Sequence, residues 1–374
     1  MINSKIPNNL HIEQFKGGHI HFIGIGGISM SGLAEILLLN GYKVSGSDMK
    51  DSSIIHRLTA QGADIHIGHN ASNISGADLI IYTAAINDSN PEIIEAYKRN
   101  IPIMDRATLL GQIMQTYEYA VGVSGTHGKT TITSMLSIIM EQAKLDPTIL
   151  VGGELDAIGG NVRTGKSKYF VTEACEYVES FLKFHPYMAI ILNIDQDHLD
   201  YFRDLNHIYE AFTKFARLVP KNGYVIGCKD DVLVSKLISN VNCNAISYGI
   251  NSDSDWKAYD ITYDAHGCAS FKATYKGKEM GSISLKIPGR HNIYNALAAC
   301  AAAWAMGVQM QVISGALASY SGTHRRFEIK GKVDDITVID DYAHHPTEIS
   351  ATLNTLHNYT HNNAWCVFQP HTYT

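Results

Sequence analysis

The segment Ser124–Thr131 has the residue types of a phosphate-binding loop. It reads Ser-Gly-Thr-His-Gly-Lys-Thr-Thr and lies between an apolar run ending at Val123 and a segment, Ile132–Lys144, whose apolar residues have helical spacing. Glycines let backbone N–H groups turn toward an anion, and the helix N-terminus adds partial positive charge. Lys129 would reach the terminal phosphates of a nucleotide, and Thr130 would offer its hydroxyl to Mg²⁺. The strict Walker pattern has glycine where Val123 stands, so an ordinary strand–turn–helix with a surface lysine is the alternative.

Polar residues end two further apolar runs in the same part of the chain. Glu173 closes the run that begins at Tyr169, and His198 follows the run over Ala189–Ile194. Because the carboxyl ends of parallel strands meet at one edge of a sheet, we expect both side chains on the same rim as Lys129. An oxygen ligand and an imidazole beside a phosphate loop suit Mg²⁺ or Mn²⁺. A capping or surface role is the alternative for His198.

A second glycine turn lies near the start of the chain. The segment Gly24–Ser29 follows a strand predicted over Ile20–Ile23 and is similar to a dinucleotide fingerprint, with Ser29 in place of the third glycine. Asp48 ends the next predicted strand, where a ribose-binding acid would sit. These residues predict binding of a nucleotide or nucleotide-sugar, with a nucleotide-free Rossmann-like domain as the alternative. NAD is less favoured, because the third glycine is missing and a separate phosphate loop follows.

Composition limits the class of protein. A length of 374 residues implies two or three domains, and 45% hydrophobic residues can form sizeable cores. The 30 Lys+Arg against 36 Asp+Glu give a net charge of −6, which argues against a nucleic-acid partner. Six cysteines without zinc spacing fit free thiols in a reducing cytosol. No stretch has transmembrane length or a signal-peptide core, so we expect a cytoplasmic protein without a membrane partner.

The order of predicted elements indicates an α/β fold. Alternating strands and helices over residues 19–116 predict a doubly wound parallel sheet. The phosphate loop opens a second parallel sheet, and residues 256–286 predict antiparallel strands added to it. The polar turn Pro288–Asn292 then precedes an alanine-rich helix predicted over Ile293–Met306, whose small side chains allow close packing.

The C-terminal region predicts a small third unit. After a boundary region at residues 312–333 we expect a strand at Ile336–Ile339, a helix at Thr347–His357 and a strand at Ala364–Phe368. A βαβ unit of about fifty residues is small for an independent domain. We therefore expect three domains, the last of them incomplete. Their expected ranges are residues 1–117, 118–320 and 321–374.

Taken together, these segments resemble the Mur ligases of bacterial peptidoglycan synthesis. The motifs occur in the family's order and cover nearly the whole chain. The resemblance implies a Rossmann-like UDP-binding domain, a P-loop ATPase central domain and a truncated α/β third domain. The motifs that carry it are Gly24–Gly32, Ser124–Thr131, Glu173 with Asp197-His198, Pro288–Asn292, Arg325–Phe327 and Asp340–Pro346.

The resemblance implies an ATP-dependent ligase that joins L-alanine to the carboxylate of UDP-N-acetylmuramate through an acyl phosphate. It implies catalytic roles for Lys129, His198 and His344, and metal ligation by Thr130, Glu173 and His198. The implied ATP contacts are Gly125, Thr126, His127, Gly128, Lys129, Thr130, Thr131, Asn292, Arg326 and Asp341. The implied UDP-sugar contacts are Gly24, Gly26, Gly27, Asp48 and His371.

Several alternatives stay open at this point. A ligase that adds a recycled murein tripeptide to the same UDP-sugar is a close rival; folylpolyglutamate synthetase and a nicotinamide dehydrogenase are more distant. The family's third domain continues past Thr374, so we expect this chain to bind ATP and UDP-N-acetylmuramate but to ligate L-alanine poorly. An inactive UDP-sugar- and ATP-binding fragment is therefore a further reading. The chain could be a monomer or a homodimer.

Overall fold

The computed structural model describes residues 10–357 and 359–370, and it divides into two compact units. The first unit takes in residues up to Glu118 with two short later segments, Asn161–Thr164 and Lys183–His185. The second holds the rest of the chain. The predicted UDP-sugar contact His371 lies outside the described residues.

The first unit is built on a five-stranded parallel sheet in the order β3-β2-β1-β4-β5. Its strand β4 is apolar and buried along its whole length, as in a sheet covered by other elements. The predicted doubly wound sheet is thereby confirmed. The elements are β1 (His19–Ile23), α1 (Ile28–Leu39), β2 (Lys43–Asp48), α2 (Ser53–Ala60), β3 (Asp64–Ile67), β4 (Leu79–Tyr82), α3 (Pro91–Arg99), β5 (Ile103–Asp105) and α4 (Arg106–Gln115).

Local sequence signals explain where α3 begins and ends. Asn90 caps the helix by accepting hydrogen bonds from the backbone N–H groups of Glu92 and Ile93. Pro91 occupies the first helical turn, where no N–H partner is needed. Asn100 ends the helix in the left-handed conformation, at φ 56°. The helix therefore delivers Glu92 to the unit's interior.

The second unit contains a mixed sheet whose strands run in the order β15-β14-β13-β12-β11-β10-β6-β9-β7. Strands from β12 to β7 pair in parallel, and β13, β14 and β15 pair antiparallel, as the sequence predicted. Up to β12, its elements are β6 (Tyr119–Ser124), α5 (Lys129–Gln142), β7 (Thr148–Leu155), β9 (Tyr169–Glu173), β10 (Met188–Ile191), α6 (Leu205–Ala216), β11 (Tyr224–Cys228), α7 (Val232–Ile238) and β12 (Asn244–Gly249). Strand β8 (Gly160–Arg163) falls almost entirely in the segment Asn161–Thr164, which belongs to the first unit.

The remaining elements complete this sheet and add a small antiparallel hairpin, β16–β17. Helix α8 packs against α5 and against strands β11 to β13, and its run Ala296–Ala303 is fully buried. Its small side chains fix the position of α5. The elements are β13 (Trp256–Tyr263), β14 (Cys268–Tyr275), β15 (Lys278–Pro288), α8 (His291–Ala305), α9 (Met310–Ser319), β16 (Glu328–Val333), β17 (Ile336–Asp340) and α10 (Pro346–His357).

The C-terminal elements differ from the prediction. The expected strand Ala364–Phe368 is absent from the described residues, where 363–370 have no regular structure. Trp365 and Val367 are 92% and 99% exposed, so their apolar pattern has no sheet neighbour to bury it. The supposed boundary at residues 312–333 contains the end of α9 and all of β16. The order there is strand–strand–helix, with Asp334 at φ 50° in the hairpin turn.

Within residues 10–357 and 359–370, no helix combines the length and the apolar character needed to cross a membrane.

Candidate active site

The loop between β6 and α5 has a backbone that requires its glycines. Gly125 has φ 139° and Gly128 has φ 89°, both in the region that side-chain-bearing residues rarely adopt. A Cβ at Gly125 would lie 2.8 Å from the Cβ of Leu192, and one at Gly128 would lie 2.9 Å from Oδ1 of Asn295. Helix α5 starts at Lys129, directly after the second glycine. The loop therefore presents a helix N-terminus with close packing behind it, the geometry that favours anions.

Lys129 is held between the loop and a buried carboxylate. Its Nζ donates to the carbonyl oxygens of Gly125 (2.6 Å) and Thr126 (3.2 Å). It also lies 3.2 Å and 3.1 Å from the two carboxylate oxygens of Glu176, a side chain only 2% exposed. Burial alone would lower the pKa of Lys129, but the charge of Glu176 outweighs it and raises that pKa above its ordinary value. The lysine is therefore a fixed cation in the loop.

Sequence reasoning missed Glu176. Its signal was present, since Glu176 stands three residues after Glu173 in the loop that follows β9. Because Glu176 is so close in sequence to the predicted metal ligand Glu173, the pattern suggests a second carboxylate at the same site and not a partner for Lys129. Its pairing with Lys129 depends on β6 and β9 being neighbours in the sheet, which the sequence does not state.

The segment after β10 holds the loop in shape. The backbone N–H of His127 donates to Oδ1 of Asn193 (2.8 Å), and Nδ2 of Asn193 donates back to the carbonyl oxygen of His127 (3.1 Å). The backbone N–H of Asp195 donates to the hydroxyl of Thr126 (2.9 Å). These bonds fix the loop without using the amides at the start of α5.

A cavity of about 530 Å³ lies beside the loop within the second unit. It brings together six predicted ATP contacts from three separate segments: His127, Gly128, Thr131, Asn292, Arg326 and Asp341. Its wall also includes residues that sequence reasoning did not single out, among them Asn193, Asp195, Asp230, Tyr294, Asn295 and Glu348.

Hydrogen bonds hold two residues of the cavity wall, Asp230 and Asn292, in place. Asp230 accepts hydrogen bonds from the backbone N–H groups of residues 250–252 and from the hydroxyl of Tyr294. Although its partial burial would raise the pKa of Asp230, these donors hold it well below the ordinary value. Asn292 donates to the carbonyl oxygen of Pro288 (2.7 Å) and accepts from Nδ2 of Asn295 (2.9 Å). The cavity wall is therefore rigid where these residues lie.

The C-terminal segment contributes a charged group to the same cavity. Glu348 of α10 lies 3.2 Å from Nδ1 of His127 and 3.9 Å from the guanidinium of Arg326. Burial would raise the pKa of Glu348, but His127 and Arg326 lower it to about 2. His344 precedes this helix, where its Nδ1 lies 3.0 Å from the carbonyl oxygen of Tyr342. Its catalytic role stays a prediction.

Three side chains were predicted to hold a metal ion. Glu173 accepts a hydrogen bond from the backbone N–H of Gly152 (2.7 Å), and its charge helps to raise the pKa of Lys129. A Cβ at Gly152 would lie 2.7 Å from this carboxylate, and one at Gly153 would lie 3.3 Å from Cγ2 of Thr130. The glycine pair of β7 thus packs closely against the carboxylate of Glu173 and the methyl group of Thr130, two side chains that carry the oxygen donors Mg²⁺ prefers.

His198 lies on the neighbouring loop. Its backbone has φ 53°, a left-handed conformation that is uncommon outside glycine and often marks functional sites. Its ring packs on Tyr177, with 4.7 Å between centroids. The structure thus places Glu173 near Lys129 and gives His198 an aromatic neighbour from the loop that follows β9.

The glycine turn of the first unit gathers its predicted residues around an acid. The N–H groups of Gly24 and Ile25 donate to the carbonyl oxygen of Ser47 (2.8 and 3.0 Å). The N–H of Gly26 donates to Oδ2 of Asp48 (2.9 Å), and a Cβ at Gly26 would lie 2.8 Å from that oxygen. The carboxylate of Asp48 is therefore hydrogen-bonded to the turn and lies close against its backbone.

Three family models match the chain in sequence. The Mur ligase family catalytic domain matches residues 19–118, the Mur ligase middle domain matches residues 123–303, and the Mur ligase glutamate ligase domain matches residues 325–373. The chain belongs to the Mur ligase family. The resemblance predicted from the motifs is thereby confirmed, and so is the α/β fold class.

Individual Mur ligases match at high identity. A UDP-N-acetylmuramate–L-alanine ligase of Caldanaerobacter subterraneus subsp. tengcongensis is 56% identical over 98% of this chain and 79% of its own length. One from Acetivibrio thermocellus is 57% identical over 97% of this chain and 78% of its own length.

Solved Mur ligase structures have the same fold. The crystal structure of a UDP-N-acetylmuramate–alanine ligase from Thermotoga maritima matches with a TM-score of 0.81 and 32% identity, covering 91% of this chain and 77% of that one. A murein peptide ligase from Psychrobacter arcticus matches with a TM-score of 0.79 and 29% identity, covering 90% and 75%.

Proposed function

We propose that this chain is an ATP-dependent ligase that joins L-alanine to the carboxylate of UDP-N-acetylmuramate in peptidoglycan precursor synthesis. The observation that carries the proposal is 56–57% identity, over 97–98% of this chain, to two UDP-N-acetylmuramate–L-alanine ligases. The gathering of the phosphate loop, Asn292, Arg326 and Asp341 around one cavity supports the same reading.

In this proposal the 530 Å³ cavity takes ATP. The triphosphate lies along Gly125–Thr131 at the N-terminus of α5, and Lys129 neutralises charge that develops on the transferring phosphoryl group. Asn292 lies at the nucleoside end, while Arg326 and Asp341 contact the nucleotide from the C-terminal segment. A magnesium ion held by Thr130, Glu173 and His198 would supply further charge neutralisation between the phosphate oxygens.

The first unit takes the UDP-sugar. Gly24, Gly26 and Gly27 let the ligand approach the backbone closely, and Asp48 offers carboxylate oxygens to ribose hydroxyl groups. Because that carboxylate faces the turn, the site favours hydroxyl donors over phosphate at this point. His344 and His371 are proposed to lie at the reacting ends of the substrates.

The chemistry proceeds in two displacements. A muramoyl carboxylate oxygen bonds to the γ-phosphorus of ATP, the bond to the β,γ-bridging oxygen breaks, and ADP leaves. The amine of L-alanine then bonds to the acyl carbon, phosphate leaves with the former carboxylate oxygen, and the amine loses a proton. ATP is needed because a carboxylate is a poor acyl donor until one oxygen becomes a leaving group.

The test follows the oxygen atom. UDP-N-acetylmuramate labelled with ¹⁸O in its carboxylate is incubated with ATP, Mg²⁺ and L-alanine, and the phosphate released is analysed by mass spectrometry. We expect one ¹⁸O in each phosphate and one ADP for each amide bond formed. Because the chain spans about four fifths of its relatives' length, a chain extended to that length is assayed beside it.

The amino-group donor decides between related ligases. Glycine, L-serine and the murein tripeptide L-alanyl-γ-D-glutamyl-meso-diaminopimelate replace L-alanine in parallel assays. Ligation of the tripeptide in preference to L-alanine would assign the chain to the tripeptide-adding ligases instead. Labelled phosphate without any amide product would limit the chain to carboxylate activation.

A further inference from the structure

Three ligand-type side chains from separate segments converge beside the phosphate loop. His127 comes from the loop itself, Asp195 follows β10, and His345 directly precedes α10. One ligand atom of each lies within 4.8 Å of the other two. Nε2 of His127 is 3.4 Å from Oδ2 of Asp195, and the two imidazole rings are 4.6 Å apart between centroids. The three side chains of this His-Asp-His cluster are partly buried, which limits the access of bulk water to them.

Outer hydrogen bonds orient both imidazoles. Nδ1 of His127 lies 3.2 Å from a carboxylate oxygen of Glu348, and Nε2 of His345 lies 2.9 Å from the carbonyl oxygen of Gln196. The carbonyl oxygen of Gln196 only accepts, so Nε2 of His345 carries the proton when that ring is neutral. His127 lies between two carboxylates, and its proton is assigned to Nδ1 because Glu348 (3.2 Å) is closer than Asp195 (3.4 Å). That tautomer leaves a lone pair on Nε2 of His127 and another on Nδ1 of His345. A histidine whose far nitrogen donates to a carboxylate or carbonyl is the usual arrangement of a metal ligand.

The carboxylate of the cluster is oriented in the same way. The hydroxyl of Thr347 donates to Oδ2 of Asp195 (2.7 Å), and the N–H of Gln196 donates to Oδ1 (2.8 Å). Burial would raise the pKa of Asp195, but these donors lower it, so the group is ionised at neutral pH. Nδ1 of His345 accepts a long bond from the N–H of Thr347 (3.2 Å), which a metal ion would replace.

We propose that His127, Asp195 and His345 form a binding site for a divalent transition-metal ion of the Zn²⁺ type, separate from the Mg²⁺ ligands Thr130, Glu173 and His198. Two imidazole nitrogens and one carboxylate oxygen suit Zn²⁺, with water as the fourth ligand, whereas Mg²⁺ prefers oxygen donors throughout. Tetrahedral Zn²⁺ places its nitrogen and oxygen ligands about 3.4 Å apart.

The geometry is close to what such an ion needs. The separation of 3.4 Å between His127 and Asp195 already matches tetrahedral Zn²⁺, and the ligand atom of His345 lies within 4.8 Å of both. Because the three ligands come from the phosphate loop, the end of β10 and the start of α10, a bound ion would tie the C-terminal segment to the loop. His127 and Asp195 also line the 530 Å³ cavity, so metal and nucleotide occupancy are coupled.

The test is a calorimetric titration with Zn²⁺ alone, in the absence of nucleotide and Mg²⁺. We expect one Zn²⁺ per chain in the wild-type protein, with affinity at least tenfold weaker in His345→Gln and in Asp195→Asn. His357→Gln is the matched control, because His357 is exposed at the far end of α10 and should leave the affinity unchanged. A thousandfold excess of Mg²⁺ should not displace the ion.

Two further results decide the proposal. Cobalt substitution of the wild-type protein should give the intense visible absorption of tetrahedral Co²⁺, a readout that does not depend on any variant folding. Weak absorption of octahedral type would overturn the proposal. So would equal Zn²⁺ affinity in wild type and His345→Gln, or a loss of affinity confined to His198→Gln, which would place the ion at the magnesium ligands instead.

Discussion

The two glycine turns, Gly24–Ser29 and Ser124–Thr131, have similar positions between a strand and a helix, but the charged side chains that contact their backbones differ in sign. Each follows a parallel strand and leads into a helix. At the first turn, the N–H of Gly26 donates to the carboxylate of Asp48. At the second, the ammonium group of Lys129 lies among the loop's own carbonyl oxygens. This difference agrees with the ligands proposed for the two turns, ribose hydroxyl groups at the first and phosphates at the second, although the same supersecondary arrangement forms both.

A buried glutamate lies close to each turn, Glu92 at the first and Glu176 at the second, and the two form hydrogen bonds with different partners. Glu92 is fully buried and accepts from Ser47 (2.7 Å) and Asn73 (2.7 Å). Burial alone would raise the pKa of Glu92, but the neighbouring imidazole of His21 and the hydrogen bonds from Ser47 and Asn73 hold it below its ordinary value. Glu176 instead pairs with Lys129. The first glutamate therefore supports the fold of its turn, whereas the second keeps Lys129 charged, the residue that we propose neutralises the transferring phosphoryl group.

The largest effect should come from Lys129→Ala. We expect ADP release to fall by at least about 10³-fold, because the charge that stabilises the transferring phosphoryl group is lost. Affinity for UDP-N-acetylmuramate, measured by calorimetry, should stay within twofold of wild type. Lys221→Ala, an exposed lysine of the same unit, is the control. An equal loss of UDP-sugar affinity would mean that the two turns do not act separately.

A smaller effect is expected at Glu173 and His198, the proposed ligands of Mg²⁺. Glu173→Ala or His198→Ala should raise the magnesium concentration needed for half-maximal activity by roughly 10- to 100-fold, since each removes a ligand or its support. The measurement is a magnesium titration of ADP release. Glu179→Ala, in the loop after Glu173 and paired with Lys214, should leave the titration unchanged. If neither ligand variant shifts the midpoint, the metal assignment is wrong.

At the first turn, the Asp48→Asn variant tests whether the Asp48 carboxylate contributes to binding of the UDP-sugar alone. Loss of the charged acceptor should weaken binding of UDP-N-acetylmuramate by about tenfold, in the range of a hydrogen bond to a charged group. Binding of a non-hydrolysable ATP analogue should be unchanged. Asp51→Asn, an exposed aspartate three residues away, is the matched control. Weaker binding of the ATP analogue in Asp48→Asn would contradict the separation.

The smallest effect on function should come from Glu92→Gln, which acts on stability. Removing a buried, hydrogen-bonded carboxylate should cost about 1–3 kcal/mol at neutral pH. Because the folded pKa lies below the ordinary value of 4.5, the stabilisation is complete above pH 4.5 and is lost as pH falls through the folded pKa. Thermal melting should therefore show a gap between wild type and variant that is wide at pH 7 and narrower at pH 4.

The control for this prediction is Glu95→Gln on the same helix, where Glu95 pairs with Arg99 near the surface. Its effect at pH 7 should be below about 1 kcal/mol, as for most exposed pairs. A gap for Glu92→Gln that widens in acid would show that the buried carboxylate is protonated in the folded protein.

How much the sequence could predict depended on the distance between partners along the chain. The phosphate loop was predictable because Gly125, Gly128 and Lys129 lie within five consecutive residues between a strand and a helix. The place of Asp48 beside the first glycine turn was predictable because parallel strands bring their carboxyl ends together. In both cases a short-range pattern predicts where the residues lie, and their roles in binding stay predictions.

Other contacts required the sheet order or the packing. The Lys129–Glu176 pair joins residues 47 positions apart, and the His127–Glu348 contact joins residues 221 apart. The strand predicted at Ile336–Ile339 is confirmed as β17, but its hairpin partner β16 was missed because the charged residues in Glu328–Val333 weaken the strand pattern. The strand expected at Ala364–Phe368 was wrong because an apolar run forms a strand only beside another strand.

We propose that the two turns bind their two ligands independently, and a double-mutant cycle can measure any coupling between them. Calorimetry of UDP-N-acetylmuramate and of a non-hydrolysable ATP analogue is done on wild type, Lys129→Ala, Asp48→Asn and the double variant. Each single variant should weaken one ligand only, and the effects should add within about 0.5 kcal/mol in the double variant. A single substitution that weakens both ligands to the same degree would contradict the account.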